Sequence, residues 1–175
     1  MKKKQSIIIT ALVVLATLTI YILLNKKKST ISDKLNDFAV EDTASIDKIF
    51  IAEKNGKKAL LERTEKGWTV NGKYLARMDG INLLLYTFKR TQLKYPPGEK
   101  AKETIIRAIA TEGKKVEIYQ NGKRTKIWYV GASNPDQMGT FMLLSDPDTD
   151  EKYEEPAITY ISGFEGFLNT RFFYG

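Results

Sequence analysis

The chain of 175 residues contains neither cysteine nor histidine. Without cysteine there is no disulfide framework and no thiol nucleophile, and the redox character of the compartment leaves no mark on the sequence. Without histidine the commonest general base and the commonest zinc ligand are missing together, so any chemistry falls to carboxylates, lysines, tyrosines and hydroxyls. A nucleic-acid footprint is missing too. The formal charge of +7 suggests one until it is divided along the chain. Six of the 28 basic residues are Lys2, Lys3, Lys4, Lys26, Lys27 and Lys28, which leaves 22 basic against 21 acidic side chains in residues 29–175. A near-neutral region with no basic motif gives no reason to expect nucleic acid as a partner.

The apolar run from Ile7 to Leu24 lies between those two lysine triplets, and twelve of its eighteen residues are Leu, Ile or Val. At a helical rise of about 1.5 Å per residue it spans roughly 27 Å, which matches a hydrocarbon core of about 30 Å. Thr10, Thr17 and Thr19 can return their hydroxyls to the helix backbone. A cleaved signal has a shorter apolar core and a small-x-small site, whereas this run stays bulky through Ile20, Tyr21, Ile22, Leu23 and Leu24. The expectation is a single uncleaved transmembrane helix, with Ile7, Leu12, Leu15, Leu18, Tyr21 and Leu24 among its anchoring residues. The flanks carry equal numbers of lysines, so the free α-amino group decides the orientation: N-terminus inside, large domain outside the cytoplasmic membrane. The organisation is then an anchor at 1–28, a tether at 29–37 and an extracytoplasmic domain at 38–175, a normal size for one domain with its own core.

Within that domain the pattern is α+β: one mostly antiparallel β-meander with two amphipathic helices. Ile46 to Glu53 reads as a strand with Ile49 and Ile51 on one face and Ile46, Phe50 and Ala52 on the other. Asn55-Gly56 suits a type I′ turn with positive φ at both residues, returning into Lys58 to Arg63. Trp68-Thr69-Val70 is a third strand, followed by Asn71-Gly72. Ile81, Leu84, Leu85 and Phe88 recur at i, i+3, i+4 and i+7, which predicts a core-facing helix over about 77–91. Pro96 and Pro97 forbid helix through Gln92 to Tyr95, leaving a short extended link. A second helix over 99–111 is expected to bury Ala101, Ile105, Ala108 and Ile109 and to stop at Gly113. Val116 and Ile118, the Asn121-Gly122 turn and Lys126 to Val130 form another hairpin, and Gly139 to Leu144 and Ala157 to Ile161 two further strands. The likeness between the two Asn-Gly hairpins is local, since no other element repeats.

Three stretches together are familiar: Trp68-Thr69-Val70-Asn71-Gly72-Lys73-Tyr74, then Tyr129-Val130-Gly131 with Pro135-Asp136-Gln137-Met138-Gly139-Thr140, then Ile161-Ser162-Gly163-Phe164 ending in Arg171-Phe172. They resemble the bacterial envelope family catalogued as domain of unknown function 4340, over about residues 38–173. The resemblance implies a membrane-associated domain outside the cytoplasm, in some members associated with transporters of the gliding-motility type. It implies no activity and carries no catalytic residue over.

Three patterns invite a chemical reading. Ser45-Ile46-Asp47-Lys48 fits Ser-x-x-Lys, but it enters a strand, where residues three apart point to opposite faces, and its companion motifs are missing. Asp146, Asp148 and Asp150 alternate as in the opening of a calcium loop, but Glu151 stands where glycine is needed and Ala157 where a bidentate glutamate is needed. A solvated acidic loop fits better. The loop from Gly131 to Gly139 is the best candidate for binding. Its composition is explained by turn geometry, and Asp136, Gln137 and Thr140 offer convergent polar groups, with Arg171 as a bidentate partner for a carboxylate. Charge is uneven: residues 57–126 hold 17 basic and 7 acidic side chains, and 136–165 hold 1 and 8. These segments either pack side by side and compensate, or form an interaction surface.

The C-terminus holds Phe164, Phe167, Phe172, Phe173 and Tyr174, and each large ring buries about 150 to 250 Å². Phe164 and Phe167 are expected in the core, and Phe172, Phe173 and Tyr174 at a partner surface. The leading functional expectation is a non-enzymatic, cofactor-free, membrane-anchored adaptor that binds another envelope protein. The alternative is a module binding a glycan or peptide, and the third a carboxylate-based hydrolase. A periplasm-active reporter fused after Gly175 is expected to be active and a cytoplasm-active one silent; the reverse pattern inverts the orientation. Intact mass of the membrane-extracted chain is expected to include residues 1–24.

Overall fold

A computed structural model of the chain describes residues 14–17, 33–152 and 155–163. The chain divides into two compact units, Met1–Ser32 and Asp33–Gly175. In the first, residues 14–17 are helical, and Thr17 donates its hydroxyl to the Val14 carbonyl at 2.9 Å. Leu15 lies on this turn, while Ile7, Leu12, Leu18, Tyr21 and Leu24 lie outside the described residues. No helix among the described residues is long and apolar enough to cross a membrane.

The second unit begins at Asp33, before the boundary drawn from composition at 38, because the 3-10 turn Asp33–Asn36 buries Leu35, and Phe38 and Val40 follow into the core. Its described residues form nine strands and two α-helices: β1 (Ile46–Ala52), β2 (Lys58–Thr64), β3 (Gly67–Val70), β4 (Tyr74–Leu75), α1 (Met78–Arg90), β5 (Thr91–Tyr95), α2 (Glu99–Glu112), β6 (Lys114–Gln120), β7 (Lys123–Ser133), β8 (Thr140–Ser145) and β9 (Ala157–Ile161). All nine join one antiparallel sheet in the order β4-β3-β2-β1-β6-β7-β8-β9-β5. Two meanders therefore meet at the β1–β6 pair. The α1–β5–α2 segment carries the chain from one edge of the sheet to the other and back to its middle.

Cross-strand partners share a face, so the register sorts the core. Ile49 and Ile51 of β1 lie opposite Ile118 and Val116, Val116 opposite Trp128, and Trp128 opposite Leu144. This first face packs against Phe38 and α1, where Ile81, Leu84 and Phe88 are buried. Trp128 is fully buried, with Phe88 edge-on at 5.3 Å and Phe38 at 6.4 Å between ring centroids. The second face carries Tyr129, Leu143 and Phe141, which pack against Ile105 and Ile109 of α2. One helix thus covers each face.

Several local expectations change. The bulge at Asp47 shifts the phase of β1, so Ile46 is buried along with Ile49 and Ile51 instead of pointing away from them. Only Gly56 of Asn55-Gly56 has positive φ (90°), and its N–H donates to the Glu53 carbonyl at 3.1 Å. The turn is centred one residue earlier than a type I′ turn, because the Asn55 side chain donates to Glu53 and accepts from the Lys57 N–H. The type I′ reading fits the other two hairpins: Asn71 and Asn121 stand at φ 51° and 52°, followed by Gly72 and Gly122 at 65° and 76°. Ala101 and Ala108 of α2 are exposed, and the buried stripe narrows to Ile105 and Ile109. Gly113 ends that helix in an extended conformation (φ −68°, ψ 154°), and a side chain there would strike the Ile109 carbonyl. Glycine is thus required by contact and not by left-handed geometry.

Phe88 closes the core over Trp128. Phe88→Ala is expected to cost about 3–5 kcal/mol and lower the melting temperature by several degrees, whereas Tyr86→Ala, two residues earlier on the far side of α1 and 38% exposed, stays within about 1 kcal/mol. Thermal unfolding of both variants followed by circular dichroism measures the difference.

Candidate functional site

The loop favoured by sequence is shorter than its composition suggests, because β7 runs on to Ser133 and leaves Asn134–Gly139 as the turn. Its ends are closed by the Asn134 N–H donating to the Gly139 carbonyl at 3.0 Å, and Gly139 packs so tightly on β9 that a Cβ would stand 2.7 Å from the Ile158 methyl group. Asp136 and Gln137 are exposed on the turn, and the Asp136 carboxylate accepts the Met138 N–H at 2.7 Å. Thr140, in contrast, is fully buried in β8 opposite Thr159. The strand alternation that follows the turn directs it into the core, so these three residues do not converge on a ligand. The turn meets β5 instead: the Lys94 ammonium lies 3.4 Å from the Met138 carbonyl and 4.0 Å from Asp136, and the Asn134 amide approaches the Tyr95 hydroxyl at 3.4 Å. Arg171, Phe172, Phe173 and Tyr174, with Phe164 and Phe167, lie outside the described residues.

Where α2 ends, the second face of the sheet carries a charged cluster that the sequence did not single out. Glu117 of β6 is only 7% exposed. Its carboxylate accepts from Lys115 at 2.7 Å and from the Tyr119 hydroxyl at 2.7 Å, and lies 3.4 Å from Arg124. Arg124 also reaches Asp150 at 2.7 Å and donates to the Pro147 carbonyl at 2.7 Å, fastening the acidic loop to the sheet. Burial pushes the Glu117 carboxyl up, but the bonds from Lys115 and Tyr119 and the charge of Arg124 outweigh it and hold the group below its ordinary range. Burial also lowers Lys115, and its contact with Glu117 raises it overall. Two of the three alternating aspartates are thus committed to structure: Asp146 accepts the N–H groups of Asp148 and Thr149, and Asp150 pairs with Arg124. The described residues hold no cluster able to bind a metal ion. Ser45 likewise donates to the Asp42 carbonyl, while the Lys48 ammonium rests 4.1 Å from the Tyr119 ring centroid.

The least satisfied surface is the β4 edge. Tyr74 and Leu75 are 71% and 70% exposed and Met78, at the start of α1, is 51% exposed. The register pairs Val70 with Tyr74 and Thr69 with Leu75, and the Ala76 N–H donates to the Trp68 carbonyl at 2.7 Å. Antiparallel hydrogen bonding alternates, so Tyr74 and Ala76 bond inward to β3, while the N–H and C=O of Leu75 point outward. Arg77 continues the extended backbone (φ −68°, ψ 123°) before the helix. The opposite edge is different, since β5 lies against the turn at Asp33–Asn36. Two residues carry no periodicity, so β4 leaves only a weak mark on the sequence, an apolar Tyr-Leu pair between a hairpin turn and a helix start.

Glu117→Gln is expected to destabilise the unit by about 1–2 kcal/mol at neutral pH, less than for a fully buried pair because Lys115 and Arg124 remain about a quarter exposed. The lowered carboxyl contributes stability that is complete above its unfolded value of about 4.3 and is lost as pH falls through the folded value. The gap between wild type and variant in urea unfolding is therefore expected to hold from neutral pH to about 5 and to shrink on further acidification.

Comparison of the chain with protein-family models finds no match, and comparisons with curated proteins and with solved structures find none either.

Proposed function

We propose that this chain is a single-pass, membrane-anchored adaptor of a bacterial envelope assembly, a transporter-associated one on the family resemblance, whose extracytoplasmic unit docks another envelope protein. The observation that carries this reading is the apolar, solvent-facing strand at the edge of the sheet. Natural sheets blunt their edges with short strands, charge, proline, bulges or a covering segment; β4 is short and stands between Lys73 and Arg77, yet its two residues are the exposed apolar Tyr74 and Leu75. Tyr and Met are the side chains that protein interfaces concentrate, and Met78 extends the patch. The sequence from Ile7 to Leu24 supports the anchor. The engagement of Glu117, Asp146 and Asp150 in structural pairs favours recognition over hydrolysis by carboxylates.

A small-ligand reading has one observation of its own: the ring of Tyr95, 42% exposed, stands beside Lys94, Asn134 and Met138, a platform on which a sugar or peptide side chain would stack.

Photo-reactive amino acids placed at Leu75 and at Glu103, an exposed position on α2, test the adaptor reading in intact membranes. Position 75 is expected to give a discrete protein adduct and position 103 none. Adducts from neither position, with the purified chain emerging alone from detergent, would overturn the reading, and a glycan raising the melting temperature through Tyr95 would favour the alternative.

A further inference from the structure

We propose that the free edge of β4 takes up an acidic, extended peptide segment of its partner as a tenth strand of the sheet, centred on Leu75. The inference rests on the docking reading above and names the chemistry of the partner. Three observations lead to it. The outward N–H and C=O of Leu75, with extended backbone continuing through Ala76 to Arg77, form a short hydrogen-bonding template on the open side of β4. Tyr74 and Leu75 project to opposite faces of the sheet and are both exposed, so an added strand gains apolar contacts above and below its backbone. The surroundings carry a basic surplus: Lys57, Lys58, Arg63, Lys66 and Lys73 are exposed on β2 and the turns around β2 and β3, against Glu65 and the half-buried Glu62, while Arg77 is taken up by Asp79 at 2.6 Å. Acidic side chains on the incoming strand would meet that surplus, which steers encounter and fixes the choice of partner.

An anionic lipid surface has the same charge and also takes up exposed Tyr and Leu. It offers no donor or acceptor arranged for a strand edge, and unpaired backbone groups are costly where lipid excludes water. The open hydrogen-bonding groups of β4 therefore favour a peptide.

The test uses the full chain in detergent micelles and a short fluorescein-labelled peptide of alternating Glu and Val, compared with its Lys-Val counterpart. The acidic peptide is expected to bind about tenfold or more tightly than the basic one and to weaken with added salt. Exchange of the Leu75 amide proton is expected to slow on binding, which simple charge attraction would not produce. Leu75→Pro, which removes the outward donor and leaves the inward bonds of Tyr74 and Ala76 available, is expected to abolish binding, and Leu75→Val, which keeps the donor while also trimming the side chain, to retain binding. Should the proline variant fold poorly, Lys66→Glu with Lys73→Glu supplies the charge arm, with the peptide preference reduced at least several-fold. Equal binding of the two peptides, or no slowing at Leu75, overturns the proposal. So does failure of both peptides to bind. In that last case a bimane probe at Leu75→Cys, unique because the chain has no cysteine, identifies a lipid contact if it shifts to the blue in anionic but not in zwitterionic proteoliposomes. Protein adducts from position 75 without peptide binding leave docking in place and remove strand addition, whereas absence of adducts removes the docking reading itself.

Discussion

Trp128 has no exposed surface, and its ring is held edge-on by Phe88 from α1 and by Phe38 from the segment that leads into β1. Three distant parts of the chain meet there, so the position of α1, the entry of the domain and the centre of the sheet are fixed by one aromatic contact. Such edge-to-face pairs add about 0.5–1.5 kcal/mol beyond the area they bury. The strand that carries Trp128 is buried on both sides at its middle, because Ile127 is fully buried on the opposite face. β7 is therefore the axis on which the two layers of helix are set, α1 over one face and α2 over the other.

From that axis the sheet becomes asymmetric. α2 covers β7 and β8, while β1, β2 and β6 expose part of the second face, with charged residues in place of a helix. The buried Glu117 is tolerable there because two cations and a tyrosine hydroxyl surround its carboxylate. Arg124 joins that cluster to the acidic loop through Asp150. The uneven distribution of charge along the chain is thereby resolved in part: β6 and β7 supply cations, the loop after β8 supplies carboxylates, and sheet topology brings them together. The basic residues of β2 and the turns around β2 and β3 are offset only by Glu62 and Glu65, so the β4 wing keeps a basic surplus.

Much of the architecture was legible because it depends on neighbours in sequence. The heptad-like stripe from Ile81 to Phe88 specified α1, the paired prolines ended any helix before α2, and Asn71-Gly72 and Asn121-Gly122 specified their turns through the positive φ that both residues adopt. Where local rules met a competing contact they failed. The side chain of Asn55 recentred its turn by bonding Glu53 and Lys57, the bulge at Asp47 turned Ile46 inward, and close packing against Ile109, not chain reversal, explains Gly113. The candidate loop shows the same limit. Asp136 and Gln137 are at the surface as turn composition requires, but the register of β8 against β9 put Thr140 in the core.

The sequence by itself determined the absence of thiol and imidazole chemistry, the apolar run between two lysine triplets and the alternation of strands and helices, since each is a property of composition or of short-range periodicity. Only the tertiary structure decided that β5 crosses to the far edge, that Glu117 meets Lys115 and Arg124, which also reach Asp150, and that β4 is left with an open apolar side. Those features arise from pairings between residues tens of positions apart. Sheet order is set by which strands together bury the most apolar surface around Trp128, and no local pattern encodes that sum.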